Sequence, residues 1–130
     1  MDIQTYLDEI KLKLAVSPIV SETEIVQERS LEDQGFFRAR LRLTNADFVE
    51  IAEFFRTEDD QVRTVEYRYQ WMDSSRQRLH RRFDNAEHYP GLPNAPHHVH
   101  VGDENRVEPG SSMSIVELID MLAQEIAKRQ

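Results

Sequence analysis

The run Phe36-Phe37-Arg38-Ala39-Arg40-Leu41-Arg42-Leu43 decides how this chain folds. Phe37, Ala39, Leu41 and Leu43 are apolar, and the residues between them, Arg38, Arg40 and Arg42, are charged. Successive side chains of a strand point to opposite faces, so this run is a half-buried strand with an arginine face turned outward. Residues 62–72 repeat the period, with Val65, Tyr67, Tyr69 and Trp71 on one face and Glu66, Arg68 and Gln70 on the other. Residues 76–83 set Arg76, Arg78, His80 and Arg82 against Leu79 and Phe83. Turn chemistry separates these runs at Thr44 to Asp47 and at Asp73-Ser74-Ser75. Phe48, Ile51, Ala52 and Phe55 also fit a helix, but the flanking turns favour a strand over 48–56. Upstream, residues 19–28 follow Pro18 and read as a strand with an acidic face of Glu22, Glu24 and Glu28, and Leu31 to Gly35 reads as a polar turn.

Apart from 48–56, helical spacing appears at the two ends. Ile3, Tyr6, Leu7, Ile10 and Leu14 form an apolar stripe behind a candidate N-cap, Asp2. Ile115, Leu118, Ile119, Leu122 and Ile126 form another within 113–129, behind Ser112 or Ser114. Between the last arginine run and that helix come a Pro/Asn/Gly-rich loop, a short strand over His97–Val101, and a polar connection from Gly102 to Ser112. The expected architecture is one α+β domain over residues 1–130: an antiparallel β-meander of about five to six strands, with an N-terminal and a C-terminal helix packed on one face. If the two arginine strands pair, Arg38, Arg40 and Arg42 gather with Arg76, Arg78 and Arg82 into one patch.

Composition narrows the function. The 130 residues are 39% hydrophobic and 31% charged, a folding balance rather than a disordered one. Without cysteine there is no disulfide framework, thiolate nucleophile or Cys-ligated metal. Apolar runs are too short for a membrane helix, and the acidic start MDIQTYLDEI has no signal-peptide pattern, so the expected compartment is the cytoplasm. The net charge of −8 is unevenly spread. The segments 1–34 and 83–130 each carry eight acids against three bases, whereas 35–82 carries ten arginines against eight acids. That pattern excludes a broadly basic surface and favours one narrow positive site suited to phosphate or carboxylate.

Four of the five histidines, His88, His97, His98 and His100, fall within thirteen residues, behind Asp84 and Asn85. On a strand His98 and His100 share a face and His97 looks away. Three readings follow. Histidines beside arginines are the parts of a metal-independent ribonuclease, with His98 and His100 as acid–base pair, His97 or His88 supporting and Asp84 orienting one imidazole. The same histidines with a carboxylate are also candidate ligands for a transition metal, although the spacing matches no standard motif. The plain alternative is structural, with histidines capping strands in a proline-fixed loop. The Tyr67/Tyr69/Trp71 stripe reads as core rather than as a base-stacking platform.

The stretches Phe83-Asp84-Asn85-Ala86-Glu87-His88-Tyr89-Pro90 and Pro96-His97-His98-Val99-His100-Val101 resemble the TumE-like proteins, small toxins of prokaryotic toxin–antitoxin modules. The family pattern is an aromatic residue, D-N-A-P-H-H, a Pro-containing spacer, then P-H-H-x-H-V. Ser17-Pro18, the arginine strand, the Tyr-x-Tyr-x-Trp strand and the terminal helix extend the likeness along nearly the whole chain. Two positions depart from it: Glu87 stands in place of the proline and Tyr89 in place of the second histidine.

The resemblance implies the toxin component of such a module and a cognate antitoxin as partner. Ribonuclease activity is the expectation by analogy with other small toxins. His98, His100, His97, His88 and Asp84 are the candidate catalytic residues. Arg78, Arg82, Arg40 and Asn85 are the candidate substrate contacts, with RNA as candidate substrate. No cofactor and no metal ligand set is assigned, a metal at His98 and His100 being left open. A homodimer is expected on the general prevalence of twofold assemblies. The alternatives are a non-enzymatic binding module acting through the arginine face and a histidine-based metal-binding protein.

Overall fold

The computed structural model describes residues 1–129, and in it the alternation read from sequence becomes alternation in burial. Helix α1 (Ile3–Val16) is followed by strands β1 (Val20–Ser30), β2 (Gln34–Leu43), β3 (Phe48–Glu58), β4 (Gln61–Met72), β5 (Leu79–Asp84), β6 (His98–Val101) and β7 (Val107–Pro109). Helix α2 (Ile115–Lys128) closes the order. The strands lie in one antiparallel sheet in chain order, β1 to β7, an open meander. The architecture is the expected α+β one with a seventh strand. β7 is three residues long and lies inside the connection read as irregular, too short to show a period.

Both helices pack on one face of the sheet, where the core sits. Asp2 caps α1 by accepting from the Thr5 amide at 2.8 Å. Ser114 caps α2 in a reciprocal box with Glu117. Ile3, Leu7, Ile10 and Leu14 of α1 and Ile115, Leu118, Ile119, Leu122 and Ile126 of α2 are buried against Phe37, Leu41, Ile51, Phe55, Tyr69 and Trp71. Each such side chain contributes roughly 1.5–3 kcal/mol on leaving water. Gly35 belongs to β2 rather than to the preceding turn, at a crowded crossing. A Cβ there would lie 2.5 Å from Phe55 Cε2, 2.8 Å from Ile3 Cγ2 and 2.9 Å from the Arg29 carbonyl.

One buried acid ties the layers together. Glu53 of β3 is fully buried, in register with Ile51 and Phe55. Its carboxyl accepts from the Tyr6 hydroxyl of α1 at 2.6 Å, the Thr64 hydroxyl of β4 at 2.9 Å and the Ile115 amide of α2 at 2.9 Å. Burial raises its pKa, against the lowering effect of these three donors.

Four expectations need correction. The arginine strands do not pair, because β3 and β4 lie between β2 and β5. Arg38 and Arg40 instead meet Glu50 of β3 at 3.3 and 3.2 Å, and Arg40 also meets Glu24 at 3.2 Å. The run 76–83 is not one alternating strand: β5 begins at Leu79, Arg76 has a positive φ of 62°, and Arg78 is exposed in the turn. A register shift between Trp71 and Met72 changes the alternation of β5. His80 therefore lies against the Trp71 ring, 4.8 Å between centroids, and Arg81 lies over the same ring and pairs with Glu125 of α2 at 3.1 Å. Finally, a bulge opposite Phe54 and Phe55 takes Val65 out of step with Tyr67 and places it on the open face.

Candidate functional site

The open face of the sheet carries a cleft of about 790 Å³, floored by β4, β5 and β6 and rimmed by the loop after Asp84. Its position follows from register. Arg68 of β4 lies opposite Asp84 of β5, and Asp84 lies opposite His98 of β6. Gln70, Arg82 and His100 form the adjacent row. Two rows of three strands thus bring an acid, two imidazoles and two guanidinium groups to one place on the open face.

Asp84 is the centre. Its side chain is 8% exposed, and those of His98 and His100 are 1% and 4% exposed. Asp84 Oδ1 lies 2.8 Å from His98 Nε2, and Oδ2 lies 3.7 Å from His100 Nε2. Oδ1 also accepts from the Ala86 amide at 3.1 Å, which turns the chain out of β5 into the rim loop. Both imidazoles are fixed from behind. His98 Nδ1–H donates to the Pro96 carbonyl at 2.9 Å, and His100 Nδ1–H donates to the Glu104 carbonyl at 2.8 Å. A carbonyl only accepts, so Nδ1 carries the proton in each ring and Nε2 is the atom presented to Asp84.

Arg82 completes the group. Its Nη1 donates to Glu104 Oε1 at 2.8 Å and its Nη2 donates to His100 Nε2 at 3.3 Å. Its buried Nε lies 3.4 Å from Asp84 Oδ2 but donates to nothing in hydrogen-bond geometry. The Arg82 guanidinium holds the Glu104 carboxyl below its ordinary range. Burial, and then the Asp84 charge, push the Tyr67 hydroxyl up to about 12. Tyr89 of the rim stands edge-on over both imidazoles, its centroid 4.9 Å from His98 and 5.9 Å from His100. The position where the family pattern has its second histidine is therefore a wall of this site.

The remaining candidates lie at varied distances from this centre. His88 is exposed at the lip of the cleft. His97 faces the other way, as its place on the strand implies: it stacks on Tyr67, and its Nδ1 meets the Tyr67 hydroxyl at 2.9 Å. Asn85 is a clamp. Its amide donates to the Val65 carbonyl at 2.9 Å and its oxygen accepts from the Tyr67 amide at 3.1 Å, closing the β4 bulge. Arg40 lines a separate small depression with Glu24 and Arg76. Arg78 lies at the far end of β5 from Asp84. Sequence reading missed Arg68 and Glu104. Arg68 reaches the cleft only through its register with Asp84, and Glu104 through a loop return, and neither relation leaves a pattern in the chain.

The architecture is thus a two-layer α+β meander whose open face holds a buried carboxylate–imidazole–guanidinium network in a cleft. A family model described as "Toxin TumE" matches residues 8–130, and the chain belongs to the TumE toxin family. Membership makes it the toxin component of a toxin–antitoxin module, with a cognate antitoxin as partner. No curated protein and no solved structure matches it. Among the described residues no helix is long and apolar enough to cross a membrane.

Proposed function

We propose that this toxin acts on RNA and breaks a phosphodiester bond in the cleft above Asp84. The observation that carries the reading is the Arg82–Asp84–His98–His100 network on the cleft floor, beside Arg68 and below His88. Internal transesterification of RNA needs a cation against the phosphate oxygens, an acceptor for the 2′-hydroxyl proton and a donor for the leaving 5′ oxygen. Arg82 and Arg68 line the cleft and hold the phosphate. The floor, where His100 and Asp84 open to the cleft, supplies the proton acceptor, and His88 at the lip supplies the donor. The O2′–P bond forms as the P–O5′ bond breaks, leaving a 2′,3′-cyclic phosphate and a 5′-hydroxyl. His98 has no free nitrogen for this exchange, because its Nδ1 holds the Pro96 carbonyl and its Nε2 faces Asp84; it positions the carboxylate. Phe36, Phe54 and Tyr89 give the cleft apolar walls against which a base can lie.

The surrounding charge supports a narrow site. Arg38 and Arg40 are already paired with Glu50, so the sheet face is not a general nucleic-acid surface. The test is induced expression of the wild type beside His100→Ala, with growth recorded and total RNA examined for cleavage. The expected result is growth arrest with RNA fragmentation, both lost in a His100→Ala chain that still folds. A folded His100→Ala variant that arrests growth as the wild type does refutes cleavage at this centre and points to inhibition by binding.

A further inference from the structure

We infer that Asp84, His98 and His100 bind one divalent transition-metal ion, of the Mn²⁺-to-Zn²⁺ series, through the Asp84 carboxylate and the two Nε2 atoms. His98 Nδ1–H is held by the Pro96 carbonyl at 2.9 Å, and its Nε2 faces Asp84 Oδ1 at 2.8 Å. His100 Nδ1–H is likewise tied to a carbonyl, that of Glu104 at 2.8 Å, and its Nε2 lies on the Asp84 side, 3.7 Å from Oδ2. Imidazoles whose far nitrogens are fixed by carbonyls, with near nitrogens converging on one carboxylate, are the arrangement that orients metal ligands.

Distances agree. The candidate ligand atoms, one from each of the three residues, lie within 4.8 Å of one another; Asp84 Oδ1 is 2.8 Å from His98 Nε2, and Asp84 Oδ2 is 3.7 Å from His100 Nε2. Ligand atoms about 2.1 Å from a common ion are separated by about 3 Å in an octahedron and about 3.4 Å in a tetrahedron. Nitrogen ligands select the borderline first-row ions over Mg²⁺ and Ca²⁺, and two imidazoles with one carboxylate leave coordination positions open. Those positions face the cleft, which Asp84 and His100 line. A bound ion would there supply, through its water, the proton acceptor that the RNA reading, on which this step rests, assigns to the floor.

Arg82 is the group that must yield. Its Nη2 lies 3.3 Å from His100 Nε2, where the ion would bind. It is loosely seated, its Nε donating to nothing, while Glu104 at 2.8 Å gives it a place away from Asp84 and balances its charge. The guanidinium therefore moves from imidazole to phosphate and carboxylate when the ion enters.

The experiment uses tag-free, chelator-stripped protein, with Co²⁺ followed by its visible ligand-field bands and Zn²⁺ by calorimetry. We expect one ion per chain, an unfolding temperature that rises with Zn²⁺ concentration, and at least about tenfold weaker binding in His98→Ala and in His100→Ala. His97→Phe, which removes an imidazole from the other side of the sheet, should bind as the wild type does. The wild-type titration needs no variant to fold: absence of uptake there overturns the inference, as does uptake that His100→Ala retains in full. The metal and RNA readings fail separately. Metal uptake by a chain that cleaves no RNA leaves the site standing, whereas RNA cleavage by a chain that takes up no metal overturns it.

Discussion

Tyr6→Phe isolates what the core face contributes without touching the cleft. The Tyr6 ring packs on Phe55, 4.5 Å between centroids, and phenylalanine keeps that contact. Only the hydroxyl is lost, and with it the 2.6 Å hydrogen bond to Glu53 Oε2. Thr64 still donates to the same oxygen at 2.9 Å, so the carboxyl is weakened rather than stripped. A hydrogen bond to a charged acceptor is worth about 1.5–3 kcal/mol, and one to a neutral acceptor about 1 kcal/mol. The expected loss at pH 8 is therefore about 2 kcal/mol, or about 8 °C in unfolding temperature for a chain of this size. Its pH dependence has a definite sign. Burial raises the Glu53 pKa above its ordinary 4.5, so the folded state holds that proton more tightly than the unfolded one. This contribution to stability is fully present below about 4.5 and is lost as pH rises through the folded pKa. The Tyr6 hydroxyl offsets part of the loss by favouring the carboxylate. Removing it thus costs more at pH 8, about 2 kcal/mol, than at pH 4.5, about 1 kcal/mol. Urea unfolding followed by the fluorescence of buried Trp71 at both pH values measures this. A loss below about 0.5 kcal/mol at pH 8, or an equal loss at both pH values, refutes the reasoning. Because Tyr6 is remote from the cleft, the variant should stay toxic, which makes it the stability control for every cleft mutation.

Gly35→Ala should lower stability by at least about 2 kcal/mol, since a Cβ meets Phe55, Ile3 and the Arg29 carbonyl inside contact distance; an unchanged thermal midpoint would contradict the packing. Asp47→Ala removes the acceptor of the Trp71 indole N–H at 2.9 Å and should cost about 2 kcal/mol with a change in tryptophan emission; an unaltered spectrum would argue against that bond. Arg82→Gln should abolish growth arrest while the circular dichroism stays native, and a variant as toxic as the wild type would remove Arg82 from phosphate binding. His97→Phe keeps the stack on Tyr67 and should arrest growth as the wild type does; loss of arrest in a folded chain would return His97 to the reacting group.

The core face was legible and the open face was half legible, for a physical reason. Periodicity reports which side chains alternate, and over β2 it reports every residue correctly, because β2 to β3 pairing has no interruption from Gln34 to Arg42. A bulge adds one residue and inverts everything after it. The shift at Trp71/Met72 therefore brings His80 against the core-side Trp71 ring, away from Arg82 with which it shares a phase in sequence, while Arg81 stays in step with Phe83. Glu53 left a signal that alternation contains: it occupies the apolar phase of Val49, Ile51 and Phe55, where a lone acid must find donors. Arg68 left none, because it meets Asp84 only through the order of strands. His98 and His100 fell on one side because they are two apart, and that parity needs no tertiary knowledge. Their common partner did need it, since Asp84 reaches His98 across the rim loop that separates β5 from β6. The two buried acids now divide the protein. Glu53 sits among neutral donors and joins both helices to the sheet, whereas Asp84 sits among titratable and cationic groups beside open space. An acid hydrogen-bonded on all sides by neutral groups ties the layers of a fold together; an acid that shares its partners with other charged groups beside open space is placed for exchange. The chemistry we propose for the toxin belongs with the second acid.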